Sequence, residues 1–594
     1  MSTAILTGQP VPGSSIEEDL RSLGFDVRIA ADATEAETLL AAVPGDRRVA
    51  VVDARFVGHR HALRLGLTDP RFPLAAVPGA VTAQPAGRQA LTRAMARENS
   101  AGGGTTLLDN LADRIVTALD ADGSDVHHPE LGSLVATVPA DAQAGSEARQ
   151  AVAAVDDEAV RLKSAVKSRD GFFTTHFISP YSRYIARWCA RRGLTPNQVT
   201  TASLLTALIA AGCAATGTRA GFVAAGVLLI ASFVLDCVDG QIARYALKYS
   251  TLGAWLDATF DRAKEYAYYA GLALGAARGG DDVWALALGA MILQTCRHVV
   301  DFSFNEANHD ATANTSPTAA LSDKLDSVGW TVWVRRMIVL PIGERWAMIA
   351  VLTAVTTPRI TFYVLLVGCA FAATYTAAGR VLRSLTRKAR RTDRAAQALA
   401  DLADNGPLAS FMARVNPGRL GAPLLIALAG TAILAVSLFS GVTWAPVVGA
   451  LVYALTSGQA LSRPLKGALD WLVPPLFRAA EYCTVLVLAA KAEVNGALPA
   501  AFGLVAAVAY HHYDTVYRIR GNAGAPPAWL VRAIGGQEGR TLLVTVLAAA
   551  LTASQFPVAL TVLAVAVALL VLVESIRFWV SAGAPAVHDE GEPA

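Results

Sequence analysis

The chain has 594 residues, of which 53% are hydrophobic and 17% charged, and its mean hydropathy is +0.40. This composition excludes a disordered chain and predicts a polytopic membrane protein with soluble parts. The formal net charge is only +3, so the overall charge says little about partners. We expect no nucleic-acid partner. The six cysteines are scattered without a C-x2-C pair, which indicates neither a zinc site nor a disulfide framework.

Residues 1–160 read as a soluble domain. Short apolar runs at Ala4–Leu6, Asp26–Ala30 and Val49–Asp53 alternate with helical patterns at Glu17–Leu23 and Thr34–Ala42. This alternation predicts an α/β domain with a parallel sheet. No basic segment followed by a long apolar run begins the chain, so no cleavable signal peptide is expected and the domain should stay in the cytoplasm.

Two local features of this domain have alternative interpretations. Asp53, at the end of the third predicted strand, is either an acceptor aspartate of the receiver type or a structural loop residue. The absence of an acidic pair after the first strand favours the structural role. Residues 101–104 (AGGG) are typical of a loop or linker.

Residues 161–195 predict an amphipathic helix at the cytoplasmic membrane interface. Aromatic and apolar side chains alternate there with arginines: Phe172, Phe173, Phe177, Tyr181, Tyr184, Ile185 and Trp188 with Arg183, Arg187, Arg191 and Arg192.

Six apolar spans are predicted in the membrane domain 196–395: 198–216, 219–238, 257–277, 283–303, 343–357 and 360–380. Each is near the roughly 20 residues that a bilayer requires, except the fifth, which is short. Basic residues concentrate in alternate connections, which places those connections in the cytoplasm. These are Arg183–Arg192, Arg244 with Lys248, Lys324 with Arg335 and Arg336, and Arg380–Arg394, the last of which we expect to meet anionic lipid headgroups.

One stretch, Leu235–Asp261, carries four aspartates at set intervals within apolar sequence: Asp236, Asp239, Asp257 and Asp261. The first two are spaced i, i+3 at the end of one predicted helix, and the last two i, i+4 at the start of the next, so each pair shares a helix face. Carboxylates at membrane depth are costly and indicate a functional site. Two facing pairs make an oxygen-rich site suited to Mg²⁺ or Mn²⁺. A solvated loop between spans is the alternative.

The spacing D-x2-D-G-x2-A-R-x8-G-x3-D-x3-D, completed by Gly240, Ala243, Arg244 and Gly253, resembles the signature of the CDP-alcohol phosphotransferase family. The resemblance implies a six-span membrane enzyme that transfers a substituted phosphate group from a CDP-linked alcohol to an acceptor hydroxyl with release of CMP. The donor would be CDP-diacylglycerol or a CDP-polyol, and the acceptor an alcohol such as inositol or inositol phosphate.

The same resemblance implies roles for the motif residues. Asp236, Asp239 and Asp257 would bind two divalent ions, with Asp261 sharing the second ion and acting as general base toward the acceptor hydroxyl. Asp236 and Asp239, with Gly240, Ala243, Arg244 and Gly253, would also line the nucleotide and diphosphate site. The site would open to the cytoplasmic side of the cell membrane.

A soluble domain before such a membrane domain is similar to fused enzymes whose first half is a nucleotidylyltransferase. A phosphate-binding loop there requires glycines and a basic residue, whereas Gly8–Ser15 after the first predicted strand has two prolines and no Lys or Arg. We therefore predict a degenerate, inactive nucleotidylyltransferase-like domain.

Residues 396–580 read as a worn duplicate of the first membrane half, with spans near 420–439, 443–457, 477–491, 495–512, 541–554 and 557–579. Arg262–Tyr266 (RAKEY) is echoed by Arg478–Tyr482 (RAAEY), and Asp257 by Asp470. Ser457 replaces the second aspartate and Ala454 the first, so the copy should bind no metal. Homologues with this signature typically form homodimers; the copy would make an internal pseudo-dimer. An acidic tail, 581–594, follows.

Further polar residues are candidates for acceptor binding: His298, Arg335, Arg336 and Arg345. Packing and positive-inside anchoring are the alternatives for these side chains. His511, His512 and Asp514 resemble part of a metal ligand set, but no further ligand of suitable spacing accompanies them. A non-catalytic scaffold or transporter on the same fold is the competing class of function, and the complete set of aspartates argues against it.

Overall fold

The structure is a computed structural model that describes residues 2–11, 13–101, 110–167, 170–311, 333–334, 337–386, 389–415 and 421–581. It is 72% helical, with an N-terminal α/β domain, as the sequence predicts. Two compact units can be separated: residues 1–168, 181–196 and 238–250 form one, and residues 169–180, 197–237 and 251–594 form the other.

The N-terminal domain is built on a five-stranded sheet of order β2-β1-β3-β6-β5. Its strands are β1 (Ser2–Thr7), β2 (Phe25–Ala30), β3 (Val49–Asp53), β5 (Leu74–Val77) and β6 (Ala80–Ala83), and β4 (Val57–Gly58) pairs separately with β7 (Ala136–Thr137). The helices are α1 (Ile16–Ser22), α2 (Ala33–Ala42), α3 (Arg60–Thr68), α4 (Arg88–Ala101), α5 (Leu111–Ala121), α6 (Ala142–Ala153) and α7 (Asp157–Ser164).

The expectation of a parallel sheet is confirmed for the first strands and wrong for the last. Strands β1, β2 and β3 pair in parallel, whereas β6 is antiparallel to both β3 and β5. The reason is local: Val77 pairs with Ala80 across Pro78-Gly79, and Gly79 has φ +78°. A two-residue turn of this kind reverses the chain and joins adjacent strands antiparallel.

Asp53 is buried and takes a local structural role. Its Oδ1 accepts the Arg55 backbone N–H at 2.9 Å, and its Oδ2 lies 3.0 Å from Arg55 Nη2. The carboxylate therefore caps the turn after β3, as the structural interpretation of the sequence expects. The linker at 101–104 and the acidic tail fall largely outside the described residues.

The domain contains a buried histidine that should make its stability depend on pH. His61 on α3 is 4% exposed, and neither ring nitrogen has a hydrogen-bond partner among the described residues. Burial, helped by the positive charges of Arg161 and Arg64 and by His59, lowers the pKa of His61 to about 3. The unfolded chain, with a histidine pKa of about 6.5, therefore binds protons that the folded domain excludes.

We therefore expect His61 to leave the free energy of unfolding unchanged above about pH 6.5. As the pH falls from about 6.5 toward 3, the free energy of unfolding should decrease by up to about 1.4 kcal/mol per pH unit, because the unfolded chain binds a proton that the folded domain does not. Hydrogen exchange of β3 amides in the intact protein, corrected for intrinsic rates, measures the effect. His61→Leu should flatten the dependence, and replacement of the exposed His309 should not. An unchanged slope in His61→Leu would contradict the assignment.

The region around 161–195 contains the predicted amphipathic helix. Helix α8 (Ser179–Arg191) follows a short π-helical turn, Thr174–Ile178. Phe177, Tyr181, Tyr184 and Trp188 recur at helical spacing and are all more than two-fifths exposed. A row of exposed aromatic side chains on one face is typical of a helix at a membrane surface.

The second unit contains the apolar helices. The first half has α9 (Pro196–Ala215), α10 (Arg219–Ala246), α11 (Thr251–Arg278), α12 (Trp284–Asn308), α13 (Ile342–Val355) and α14 (Pro358–Thr386). Of these, α10 runs through both units. The second half has α15 (Asp393–Leu402), α16 (Pro407–Val415), α17 (Pro423–Leu438), α18 (Ala445–Ala460), α19 (Val473–Lys491), α20 (Ala497–Arg520), α21 (Ala528–Ala533), α22 (Gly536–Ala550) and α23 (Gln555–Ser581).

Every predicted span coincides with a helix, but five helical segments of the described chain are long and apolar enough to cross a membrane: Pro196–Ala215, Arg219–Ala246, Pro358–Thr386, Asp470–Lys491 and Gln555–Ser581. The others are too short or too polar by this measure. Helix α13, for example, has 14 residues, about 21 Å at 1.5 Å per residue. One apolar core joins both halves, with Phe233 and Tyr269 from the first and Tyr482 and Phe502 from the second.

Candidate active site

The predicted aspartates lie where the sequence places them on the helices. Asp236 and Asp239 are in the last turns of α10, and Asp257 and Asp261 are in the first turns of α11. One carboxylate oxygen from each of Asp236, Asp257 and Asp261 lies within 4.8 Å of the others. Among the described residues this is the one group of three or more acidic, His or Cys side chains so arranged.

The chemistry of this group fits a hard divalent cation. All three ligand atoms are carboxylate oxygens, which Mg²⁺ and Mn²⁺ prefer, and the side chains are half-buried. Asp261 Oδ1 is buried and accepts no well-aligned hydrogen bond from the described residues. Asp236, Asp257 and Asp261 could therefore hold an ion. Asp239, 4% exposed and one turn beyond Asp236, stays a predicted ligand.

A lysine that the sequence interpretation overlooked lies inside the carboxylate group. Lys264 is on the same face of α11 as Asp261, and its Nζ lies 2.8 Å from Asp261 Oδ1 and in contact with Asp236 Oδ1. Its side chain is fully buried. The i, i+3 spacing from Asp261 on an apolar helix was the available signal.

The predicted nucleotide-site residues on the last turns of α10 are partly engaged with the chain itself. Arg244 Nε donates to the Ala165 carbonyl at 2.6 Å. A Cβ on Gly240 would lie 3.4 Å from Arg244 Nη1, an ordinary van der Waals contact. Ala243 is on the same helix, and Gly253 is in the first turn of α11. Their binding role stays a prediction.

A second polar cluster surrounds Glu265, one helical turn after Asp261. Arg262 Nη1 lies 3.1 Å from Glu265 Oε2, and Arg345 Nε lies 3.3 Å from Glu265 Oε1. Tyr269 donates to the same carboxylate at 2.7 Å. Arg345, a predicted acceptor residue, is thus 3% exposed and paired.

The other predicted acceptor residues have different environments. The two ring nitrogens of His298 contact Gln294 Nε2, at 2.7 Å, and the Tyr513 hydroxyl of the second half. Arg335 and Arg336 lie outside the described residues. Arg297, which the sequence interpretation did not select, is 6% exposed. Its Nη2 donates to the Val339 carbonyl, while Nε and Nη1 have no partner among the described residues.

The second half repeats the Glu265 cluster with its own residues. Arg478 Nη1 lies 2.9 Å and Arg540 Nε 2.6 Å from Glu481, as Arg262 and Arg345 do from Glu265 in the first half. Each half therefore pairs one glutamate with two arginines of its own, at corresponding helix positions.

The second half adds a carboxylate that closes the cluster. Asp404 lies 2.7 Å from Arg540 Nη2, 3.1 Å from Arg478 Nη2 and 3.1 Å from His511 Nε2. Each of these side chains is at most 4% exposed. Two arginines and two carboxylates balance, so the charges of this buried network are satisfied internally.

Among the residues that the structure describes, the position in the second half equivalent to the carboxylate group holds no comparable set of ligands. Ser457 donates within its own helix to the Ala454 carbonyl at 2.9 Å. Asp470 accepts the Gly467 backbone N–H at 2.7 Å in the turn before α19. Unlike Asp257, it is outside the α-helix. Helix α19 begins at Val473, and Pro474 and Pro475 in its first turn lack the N–H groups that would be needed to extend it backward to Asp470.

The family comparison covers the segment that contains these aspartates. Residues 193–373 match the model of the CDP-alcohol phosphatidyltransferase family. The membrane segment belongs to the CDP-alcohol phosphotransferase family. Residues 393–594 match a family of unknown function, DUF5941. The nucleotidylyltransferase-like assignment of the N-terminal domain stays a prediction.

Curated relatives agree with this membership. The chain is 35% identical over 131 residues to phosphatidylinositol phosphate synthase of Streptomyces avermitilis, covering 21% of this chain and 51% of that protein. It is 31% identical over 113 residues to archaetidylinositol phosphate synthase of Pyrococcus horikoshii, covering 19% and 58%. The bifunctional IPC transferase and DIPP synthase of Aquifex aeolicus is 32% identical over 114 residues, covering 19% and 26%. The chain thus spans between 26% and 58% of the length of these relatives.

Proposed function

We propose that the chain transfers a substituted phosphate group from a CDP-linked alcohol to the hydroxyl of an acceptor alcohol and releases CMP. The observation that carries the proposal is the convergence of Asp236, Asp257 and Asp261 on the signature of a CDP-alcohol phosphotransferase segment. In the transfer, the acceptor oxygen forms a bond to the phosphorus next to the donor alcohol. The bond from that phosphorus to the oxygen of the CMP phosphate breaks.

The chain's own residues have distinct tasks in this reaction. Asp236, Asp239 and Asp257 would hold the divalent ion, Mg²⁺ or Mn²⁺, with Asp261 sharing, and the family signature implies two such ions. The ion would neutralise negative charge that develops on the leaving CMP. Asp261 receives the proton of the acceptor hydroxyl. Gly240, Ala243, Arg244 and Gly253 line the diphosphate side.

We propose CDP-diacylglycerol as the donor and a phosphorylated inositol as the acceptor. Relatives named for phosphatidylinositol phosphate and archaetidylinositol phosphate synthesis support this choice. A buried guanidinium supports it as well: Arg297 is 6% exposed, and its Nε and Nη1 have no hydrogen-bond partner among the described residues. Such a group suits a phosphate monoester, since guanidinium groups form bidentate pairs with phosphate.

Arg297→Met tests the acceptor assignment. We expect KM for inositol phosphate to rise by about 10–100-fold, equivalent to about 1.4–2.8 kcal/mol of lost binding, with little change for the CDP-diacylglycerol donor. CMP release is measured at varied acceptor concentration with inositol as the uncharged comparison. Equal KM values for inositol phosphate in wild type and variant, or turnover only with a soluble CDP-polyol donor, would contradict the assignment.

For the second half we propose an inactive duplicate that replaces a partner subunit. Helix α12 contacts α19 and α20, and α11 contacts α20; by order in the two halves, these are fourth with third, fourth with fourth and third with fourth. Such a reciprocal set is the pattern of a two-fold interface. The Tyr513 hydroxyl on His298 lies at this contact. A scaffold or transporter role fits this half alone, since its polar centre is closed by ion pairs.

We also propose that the protein is a multi-pass protein of the cell membrane with the aspartates toward the cytoplasm, where CDP-linked donors are available. The distribution of basic residues supports this orientation. The exposed aromatic face of α8 supports contact of that helix with the membrane surface.

A further inference from the structure

The Lys264 ammonium occupies a built position within the carboxylate group. Its side chain is fully buried, and Nζ contacts one oxygen each of Asp236, Asp261 and Ser203, the last two at 2.8 and 3.2 Å. An ammonium group has three donors and no acceptor. Nζ donates to Asp236 and Ser203 and forms an ion pair with Asp261 Oδ1.

The Ser203 oxygen is itself held in place. Ser203 and Ser232 are both fully buried, and each hydroxyl lies 2.8 Å from the other residue's backbone carbonyl. Since each serine hydroxyl has one proton, donation to the carbonyl of Ser232 leaves the oxygen of Ser203 free to accept from Lys264. The lysine is thus received by a prearranged acceptor that joins α9 and α10.

The position of Nζ conflicts with a second divalent ion. The family signature implies that Asp261 shares the second ion, and a magnesium ligand oxygen must lie about 2.0–2.1 Å from its ion. The oxygens of Asp261 and Asp236 that face Nζ are already bridged by the ammonium. An ammonium and a divalent ion cannot share the same gap between these oxygens.

We propose that the Lys264 ammonium takes the place of one of the two divalent ions, so that the chain binds a single ion, at Asp236, Asp257 and the remaining motif carboxylate oxygens. This inference rests on the proposed function. The fixed positive charge offsets the repulsion between Asp236 and Asp261 and holds the Asp261 carboxylate toward the acceptor. Lys264 is therefore a positioning residue, and its charge requires no metal from solution.

Counting Mn²⁺ bound to the purified full-length protein, by electron paramagnetic resonance of the free ion and without substrate, tests the proposal. We expect about one ion per chain in the wild type and in Lys264→Arg, which keeps a cation. Lys264→Met removes the cation and should raise the count to about two. Lys264→Gln, which keeps a donor for Ser203, should give the same increase and guards against misfolding of the methionine variant.

Asp257→Asn is the matched control that distinguishes the Lys264 proposal from the proposed metal-dependent function, because it removes a metal ligand and leaves Lys264 in place. If the wild type binds two Mn²⁺ ions and Asp257→Asn weakens or abolishes their binding, the lysine proposal is overturned and the metal-dependent function is preserved. One ion in the wild type and in both uncharged variants would also overturn it. No bound Mn²⁺ in any variant would overturn both proposals.

Discussion

Asp257→Asn should lower CMP release by on the order of 10²–10³-fold or more without unfolding the chain. Asp257 supplies one of three carboxylate oxygens that lie within 4.8 Å of one another, and an amide oxygen there lacks the charge that holds a divalent ion. Asp236→Asn should have the same effect. Asp261→Asn should also stop turnover while leaving some CDP-substrate binding, since the proton acceptor is lost.

Asp470→Asn is the matched control in the second half. Asp470 corresponds to Asp257 in the duplicated pattern, but its carboxylate accepts the Gly467 N–H, a bond that an asparagine side-chain oxygen can also accept. Turnover should therefore be unchanged. Near-normal CMP release in Asp257→Asn, or a loss in Asp470→Asn as large as in Asp257→Asn, would contradict the assignment of chemistry to the first half.

Arg540→Met should destabilise the protein by about 3–5 kcal/mol, because it leaves two buried carboxylates without one of their cations. Arg540 contacts both Glu481, at 2.6 Å, and Asp404, at 2.7 Å. Thermal unfolding in detergent, monitored by tryptophan fluorescence, should show a Tm lower by about 5 °C or more. We expect the effect on stability rather than on the chemical step, because the buried network lies in the second half, which lacks the four-aspartate signature.

Lys466→Met provides a surface comparison for this prediction. Lys466 pairs with Asp393 at 2.7 Å, but the two side chains are 43% and 91% exposed, and exposed pairs contribute little. Its Tm should stay close to that of the wild type. A Tm for Arg540→Met equal to that of Lys466→Met would show that the buried network does not stabilise the second half.

The sequence predicts the parts of the site that depend on short spacings. Asp236 and Asp239 at i, i+3, and Asp257 and Asp261 at i, i+4, lie on the helices expected of them, because helical periodicity fixes which side chains share a face. The first three strands of the N-terminal domain follow from apolar runs in the same way. The β5–β6 hairpin could also have been predicted, since Pro78-Gly79 is a strong turn signal.

Long-range partners could not be obtained from spacing. The contact of Lys264 with Asp236 joins two helices, and its third oxygen comes from Ser203 on another. Asp404 lies far before Arg478 and Arg540 in the chain, so its place in the second cluster depends on how the helices pack. Periodicity identifies the face that carries a charged residue, whereas tertiary packing selects the charge that it meets.

The arginine–glutamate cluster that recurs in the two halves shows both what spacing predicts and what only tertiary packing determines. The Arg262–Glu265 and Arg478–Glu481 pairs have the same i, i+3 spacing, so the sequence alone predicts their correspondence. The closure of the second cluster by Asp404 could be recognised only in three dimensions. The fate of Asp470 likewise depends on the proline-determined start of α19, which moves this residue out of the α-helix.

The most direct test of the transferase assignment is to measure CMP and phosphodiester formation by the purified protein given CDP-diacylglycerol, inositol phosphate and Mg²⁺ or Mn²⁺. We expect CMP and a new phosphodiester to appear in equal amounts, EDTA to stop the formation of both, and the Asp257→Asn variant to form neither. Absence of CMP from both lipid and polyol CDP-donors would contradict the transferase assignment. So would metal-independent release that persists in Asp257→Asn.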